Sequence, residues 1–266
     1  MALKKTLCVV TTICFSSWLF AQQRNYSVSN AHAHNDYEHP VPFYTAYNAG
    51  FGSIEADIFL YNGGLYVSHD SAHITQQRTL QSLYLDPLQK AIQNHKEHAY
   101  ADPSKNLILL IDLKTPAEPT LGALLKVLQR YKAITACPNL KIVITGNQPD
   151  NSKLGSYPSF LHFDGHLDKT YTAGELNRIA LFSDDFRNYT KWKGEGRLPD
   201  SATLKIEAAI TKSHTLRKPI RFWAAPDTPN AWSQLMHLNV DYINTDKIQG
   251  FSSFLKKQTS KLSSEK

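Results

Sequence analysis

Residues 106–113, NLILLIDL, are apolar except for Asn106 and Asp112. A run this continuous reads as a strand covered on both faces, the situation of parallel α/β sheets and barrels, rather than of a sheet with one wet face. Comparable short runs recur along the chain at 27–34, 52–60, 140–145, 160–163, 178–182, 220–224 and 240–243. Between them lie stretches of helical spacing at 83–95, 120–134, 201–213 and 228–238. Alternation of this kind predicts a parallel sheet or barrel. Residues 64–69 follow the Asn62-Gly63 turn signal and are expected to fold back on the second strand as a hairpin. Eight strand candidates besides that return, in a body of about 250 residues, predict one TIM-type (β/α)8 barrel and a single domain.

The polar residues of these runs gather at their C-terminal ends, where barrels of this type keep their active groups. His34 ends the first strand. Glu55 and Asp57 lie late in the second, two apart and so on one face, with Ile54, Ala56 and Ile58 on the other. His69 and Asp70 close the hairpin return, and Asp112 and Lys114 end the third strand, again two apart. Asn147, Asp164, Asp184 and Asp246 stand at or just beyond later strand ends, and Trp223 lies in the seventh. Adjacent carboxylates repel unless a cation or proton sits between them, and a hard divalent ion held by oxygens answers that need. Nearby histidines supply a proton donor and a proton acceptor.

The ends of the chain read differently from its body. Lys4 and Lys5 precede a largely apolar stretch at 6–20 and Ala21, the pattern of a secretory signal over 1–21 and of an exported, periplasmic or extracellular protein. Cys8 and Cys14 fall inside it, which leaves Cys137 alone and no intrachain disulfide over 22–266. The formal charge of +6 is concentrated at the two ends; without Lys4, Lys5 and the lysine-rich segment after Gly250, the body carries +1. That excludes the concentrated basic face of a nucleic-acid groove. The division expected is a signal at 1–21, a barrel at 22–250, and a helix end with a frayed, solvated lysine tail at 251–266.

The ordered set HNDY (34–37), SIEADIFL (53–60), LYVSHD (65–70), LLIDLK (109–114) and VDYINTDK (240–247) resembles a phosphodiesterase superfamily. It contains glycerophosphodiester phosphodiesterases, phosphatidylinositol-specific phospholipase C and sphingomyelinase D. Within it the chain is most similar to the bacterial and fungal branch, altered inheritance of mitochondria protein 6-like, that carries HNDY and RFWAAPDTPNAW (221–232). The resemblance implies a phosphoric diester hydrolase acting on a glycerophosphodiester or phospholipid-type head group. It implies Glu55, Asp57 and Asp112 as ligands of one divalent cation, Mg²⁺ or Ca²⁺, and His34 and His69 as the acid–base pair. Lys114 would meet a phosphate oxygen, with Asn35, Trp223 and Asp164 as further substrate contacts. The third carboxylate is usually Glu in glycerophosphodiesterases and Asp in sphingomyelinase D-like members. The usual His-Arg is His34-Asn35 here, so one cationic phosphate contact is missing.

Two other readings compete. His32-x-His34 resembles the opening of amidohydrolase-type barrels, in which both histidines bind a transition metal, with His162 or His166 the later candidates. The barrel could also hold a phosphorylated ligand without cleaving it. Trp192, in the polar run YTKWKGEG, is expected to be exposed and to meet lipid or a head group. His73, His95, His98, His162, His166, His214 and His237 show no ligand spacing and are expected to be ordinary.

Overall fold

The computed structural model describes residues 24–264; the signal expected at 1–21 lies outside them. Among the described residues eight parallel strands form a nearly closed barrel: β1 (Ala31–Ala33), β2 (Ser53–Tyr61), β4 (Leu107–Leu113), β5 (Leu140–Gly146), β6 (Leu161–Gly165), β7 (Ile179–Asp185), β8 (Ile220–Trp223) and β9 (Ile243–Thr245). They are hydrogen-bonded in the order β8-β7-β6-β5-β4-β2-β1-β9, and a single parallel bridge, Arg221 to Tyr242, joins the two ends. β3 (Gly64–Val67) is the expected hairpin return, antiparallel to β2 with Ile58 opposite Val67. Helices α1 (Tyr44–Ala49), α2 (Asp86–Asn94), α3 (Ala117–Leu128), α4 (Lys132–Ala136), α5 (Ala173–Arg178), α6 (Asp200–Thr215), α7 (Pro229–His237) and α8 (Ile248–Ser264) accompany them. The parallel barrel predicted from the apolar runs is the fold observed.

Alternation along the strands builds two cores. On β4, Leu107, Leu109, Ile111 and Leu113 pack outward under the helices, together with Ile54, Ala56 and Ile58 of β2. Ile108 and Leu110 point inward and join Val143, Ala180 and Leu181 in a small cluster that fills the barrel. The period of two then places Asp112 next in the inward series, above that plug, with Glu55 and Asp57 doing the same on β2. The carboxylates are therefore the top layer of the barrel's own filling.

Local chemistry explains where sequence expectations and structure part. The first strand was expected from Ser27, but Val28–Asn30 form a 3₁₀ turn in which Ser27 and Asn30 cap each other reciprocally; such side chains offer the backbone an alternative to the ladder. The single helix expected at 120–134 is two, α3 and α4, broken at Tyr131, whose ring is buried and whose hydroxyl donates to Asp86 Oδ1 at 2.6 Å. The last strand was expected at 240–243 and starts three residues later, at Ile243. The Asp241 carboxylate instead accepts from Ile220 N (2.9 Å), His214 Nε2 (2.7 Å) and Arg24. The expected helix end is that of α8, whose start is anchored by buried Phe251 and Leu255, with Phe251 edge-on to Trp232 at 5.0 Å, while Lys256 and Lys257 beyond them are exposed. Trp192 is half-buried rather than exposed: it packs on Phe186 and its Nε1 donates to the Glu195 carbonyl at 2.6 Å. No helix of the described residues is long and apolar enough to cross a membrane.

Candidate active site

At the C-terminal end of the barrel a cleft of about 380 Å³ gathers nearly every site residue expected from sequence. His34, Asn35, Glu55, Asp57, His69, Asp112, Lys114, Asp164 and Trp223 all line it. Asn147 and Asp184 do not. Asp184 lies inside β7 rather than beyond it, and its carboxylate is taken up by Asp185 N, Asn188 Nδ2 and the Tyr189 hydroxyl. Asp246 stays outside the lining but holds His34.

Asp57 and Asp112 stand beside each other on β2 and β4. Lys114 Nζ bridges them, 2.9 Å from Asp57 Oδ2 and 2.7 Å from Asp112 Oδ2. Burial, followed by the charge of Glu55, raises the Asp57 pKa to about 6 despite Lys114; burial raises Asp112 as well. Glu55 goes the other way. Burial opposes its ionisation, but the Arg221 guanidinium at 3.1 Å and the His32 contact at 2.7 Å overcome it and hold the carboxyl well below its usual range.

His32 and His34 leave β1 on the same side and end in different places. His32 is fully buried, with Nε2 against Glu55 and Nδ1 2.7 Å from Ser53 Oγ. Burial and Arg221 lower its pKa to about 4, so it is neutral at physiological pH. Its Nε2 stands 2.7 Å from both Glu55 Oε2 and Arg221 Nη1, so the ring ties the carboxylate and the guanidinium into one buried network. His34 lines the cleft with Nδ1 2.8 Å from Asp246 Oδ1. Burial lowers its pKa, but the Asp246 hydrogen bond and the charges of Glu55 and Asp246 outweigh this and raise it.

The HNDY turn carries the next layer. Asn35 adopts the left-handed conformation (φ 47°), which Asn tolerates better than most residues. Asp36 is buried and anchors the turn, accepting from Phe43 N at 2.6 Å and from the Tyr84 hydroxyl at 2.9 Å. The Tyr37 hydroxyl lies 2.7 Å from Asp57 Oδ2, 2.8 Å from Asn35 Oδ1 and 3.1 Å from His69 Nδ1. Burial and Asp57 push its pKa far up, so it stays protonated and donates to the carboxylate side, with its oxygen facing His69 Nδ1. His69 Nε2 makes no hydrogen bond among the described residues.

Tyr37, Thr145, Gly146, Ser183 and Arg221 were not singled out by sequence reasoning. His166, named for the amidohydrolase-like reading and otherwise taken as ordinary, lines the cleft, as do Thr145, Gly146, Ser183 and Arg221. The signal available for Tyr37 and Arg221 was their place within HNDY and RFWAAPDTPNAW. At the rim Trp223 is 37% exposed with the Arg187 guanidinium 5.2 Å above its ring.

The residues present fit a divalent cation. Glu55, Asp57 and Asp112 each offer an oxygen within 4.8 Å of the others, the only such group of three or more among the described residues. Asp57 Oδ1 and Asp112 Oδ1 are buried without a hydrogen-bond partner, a state that costs free energy unless something positive completes it. Bare Gly146 makes room beside them: a Cβ there would lie 1.9 Å from Asp112 Oδ1. His32 and His34 do not join this group, which removes the geometric basis of the two-histidine metal site.

Comparison with known proteins agrees with this architecture. Residues 22–137 match the AIM6-like phosphodiesterase domain, and residues 219–249 match the glycerophosphoryl diester phosphodiesterase family. The chain is 29% identical to an altered inheritance of mitochondria protein 6 homolog of Arthroderma benhamiae, over 82% of this chain and 81% of the relative. It is 28% identical to altered inheritance of mitochondria protein 6 of Kluyveromyces lactis, over 85% of this chain and 72% of the relative. In fold it is similar to a glycerophosphodiester phosphodiesterase from Parabacteroides distasonis, with TM-score 0.54 and 14% identity, covering 86% of this chain and 98% of that one.

Proposed function

This chain belongs to the glycerophosphodiester phosphodiesterase-like superfamily, in its AIM6-like branch, and we propose that it is a phosphoric diester hydrolase working with one divalent cation, Mg²⁺ or Ca²⁺, and two histidines. The observation that carries this reading is the convergence of Glu55, Asp57 and Asp112 with His34 and His69 in one cleft. Charge balance supports it. Four lining carboxylates, Glu55, Asp57, Asp112 and Asp164, stand against two permanent cations, Lys114 and Arg221. That surplus would repel an anionic diester, and a divalent cation removes it.

When bound, such a cation would polarise the phosphoryl group and offset the charge that grows in the transition state. The chain's own groups do the rest. His34, whose charged form Asp246 favours, gives its proton to the leaving alcohol. His69, with Nδ1 against Tyr37, takes a proton at Nε2 from the attacking hydroxyl, whether of water or of the substrate. Lys114 adds a permanent positive charge between Asp57 and Asp112. The polar lining suits a glycerophosphodiester or a phospholipid-type head group. We read the chain as exported, on the pattern of residues 1–21.

Turnover of glycerophosphodiesters, lysophospholipids, phosphoinositides and bis(4-nitrophenyl) phosphate, with Mg²⁺, Ca²⁺ and chelator, tests the reading. Metal-dependent release of a monoester or cyclic phosphate is the expected result. Binding of these compounds without turnover would make the protein a phospho-ligand-binding barrel instead.

A further inference from the structure

We propose that Arg221 grips the phosphoryl group in this cleft through Nη2, and that Asp164 beside it restricts the guest to a singly charged diester. The proposal rests on the diesterase reading above.

The Arg221 side chain is 4% exposed. A guanidinium has five N–H donors in a fixed fork. Nε donates to Ser183 Oγ at 2.7 Å, and Nη1 lies among His32 Nε2 at 2.7 Å, Asn244 Oδ1 at 3.0 Å and Glu55 Oε2 at 3.1 Å. These contacts come from β7, β1, β9 and β2, so the group is pinned from four strands. Nη2 makes no hydrogen bond among the described residues; its ion-pair contact, Asp164 Oδ2, is 3.9 Å away, beyond hydrogen-bond reach. A buried cation with two open donors, lining a cleft, is completed by an oxyanion from outside.

The other lining cation has less to offer. Lys114 has two of its three donors engaged by Asp57 and Asp112, and Asn35 carries no charge. Arg221 also comes pre-set: its plane is fixed before any guest arrives, so little ordering is lost on binding.

Asp164 sets the limit. Its Oδ2 accepts from Thr145 Oγ1 at 3.0 Å, while Oδ1 is buried with no partner. An acceptor there welcomes a hydroxyl of the esterified alcohol. The same carboxylate repels the second negative charge of a phosphate monoester more than the single charge of a diester. Were Arg221 a counter-ion for Glu55 alone, its conservative replacement would leave anion binding untouched.

The test is binding of dimethyl phosphate and methyl phosphate by ³¹P NMR titration and calorimetry, at pH 8 with saturating Mg²⁺. Arg221→Lys keeps a positive charge to face Glu55 but removes the open fork. It is expected to weaken dimethyl phosphate at least about tenfold, with Mg²⁺ affinity unchanged within about twofold. Unchanged anion affinity in this variant overturns the proposal. If Arg221→Lys does not fold by near-UV circular dichroism, Ser183→Ala serves: loosening Nε is expected to cost about threefold or more in the same titration, and no loss overturns the proposal. Asp164→Asn is expected to cut the preference for dimethyl over methyl phosphate by about fivefold or more; an unchanged ratio overturns the role of Asp164. Binding of dimethyl phosphate that depends on Arg221, in a protein that cleaves no diester, supports this assignment and sinks the hydrolase reading. A wild-type chain that binds neither anion sinks the assignment itself.

Discussion

Asp57 on β2 and Asp112 on β4 are register partners, each directly beside the other in the parallel ladder. Their proximity is thus set by the backbone and does not depend on rotamer choice. Burial and the charge of Glu55 raise the Asp57 pKa from 3.8 to about 6. A raised carboxylate pKa means the unfolded chain gives up this proton first, so the ion-free protein loses stability as pH rises from about 4 to about 6, by on the order of 2 kcal/mol. Asp57→Asn should therefore hold or raise the ion-free Tm at pH 7.5 while cutting Mg²⁺ affinity at least about tenfold. Calorimetric scans with and without Mg²⁺ check both. A variant that binds Mg²⁺ like wild type would take Asp57 out of the ligand set.

The three histidines near the carboxylates should separate by kind of damage. His34→Ala and His69→Ala should each lower turnover by about 10²–10⁴-fold and leave the fold intact. His32→Ala removes the buried partner of Ser53 and one of the two that hold Glu55, and should cost about 1–3 kcal/mol of stability. Urea denaturation run beside the kinetics distinguishes them; a stable His32→Ala with the largest loss of turnover would reverse the roles of His32 and His34.

Asp246 sets the pH at which His34 loses its proton. Because the pKa of His34 is raised, the stabilisation from this pair is complete below 6.5 and disappears as pH climbs through the raised value. Asp246→Asn should move the alkaline limb of kcat to lower pH and leave Mg²⁺ binding in place. A pH–rate profile that superimposes on wild type would show that His34 does not carry the proton transferred.

Glycine substitutions give a contrast within one molecule. Gly146 has φ +73° and a Cβ there would meet Asp112 Oδ1 at 1.9 Å. Gly146→Ala should destabilise by about 1 kcal/mol or more and weaken Mg²⁺ binding. Gly122, exposed in α3 with nothing near its Cβ position, should tolerate Ala with a gain of about 0.5–1 kcal/mol. Thermal melts of the two variants, with a Mg²⁺ titration of the first, check this.

Much of this site was readable before any coordinates. Glu55, Asp57 and Asp112 stand out because an acid in an otherwise apolar strand has few uses, and a period of two says which acids share a face. Arg221 was harder to see: nothing local says that a β8 side chain crosses the barrel to reach Glu55 on β2, a contact made by closure of the sheet. Tyr37 is similar, since its role comes from where Asp57 and His69 arrive. The strand at 240–243 was misplaced because Asp241 has a tertiary task that hydrophobic pattern does not record. His166 entered only through the competing two-histidine reading, because facing the cleft is a property of loop geometry rather than of spacing.

The seam between β1 and β9, the first and last strands of the chain, has a consequence for how the chain matures. β1 pairs with β9, residue 31 with 243 and 33 with 245, so contacts that span most of the sequence complete the sheet. Such closure waits until almost the whole chain has been synthesised. His34 sits on that seam: its backbone N–H donates to the Thr245 carbonyl at 3.1 Å and its ring is held by Asp246. A chain lacking its last strand also lacks Asp246, and its His34 has no carboxylate to favour its charged form. Full-length synthesis is in this way a licensing step for chemistry, and a product cut short of Asp246 should be inert.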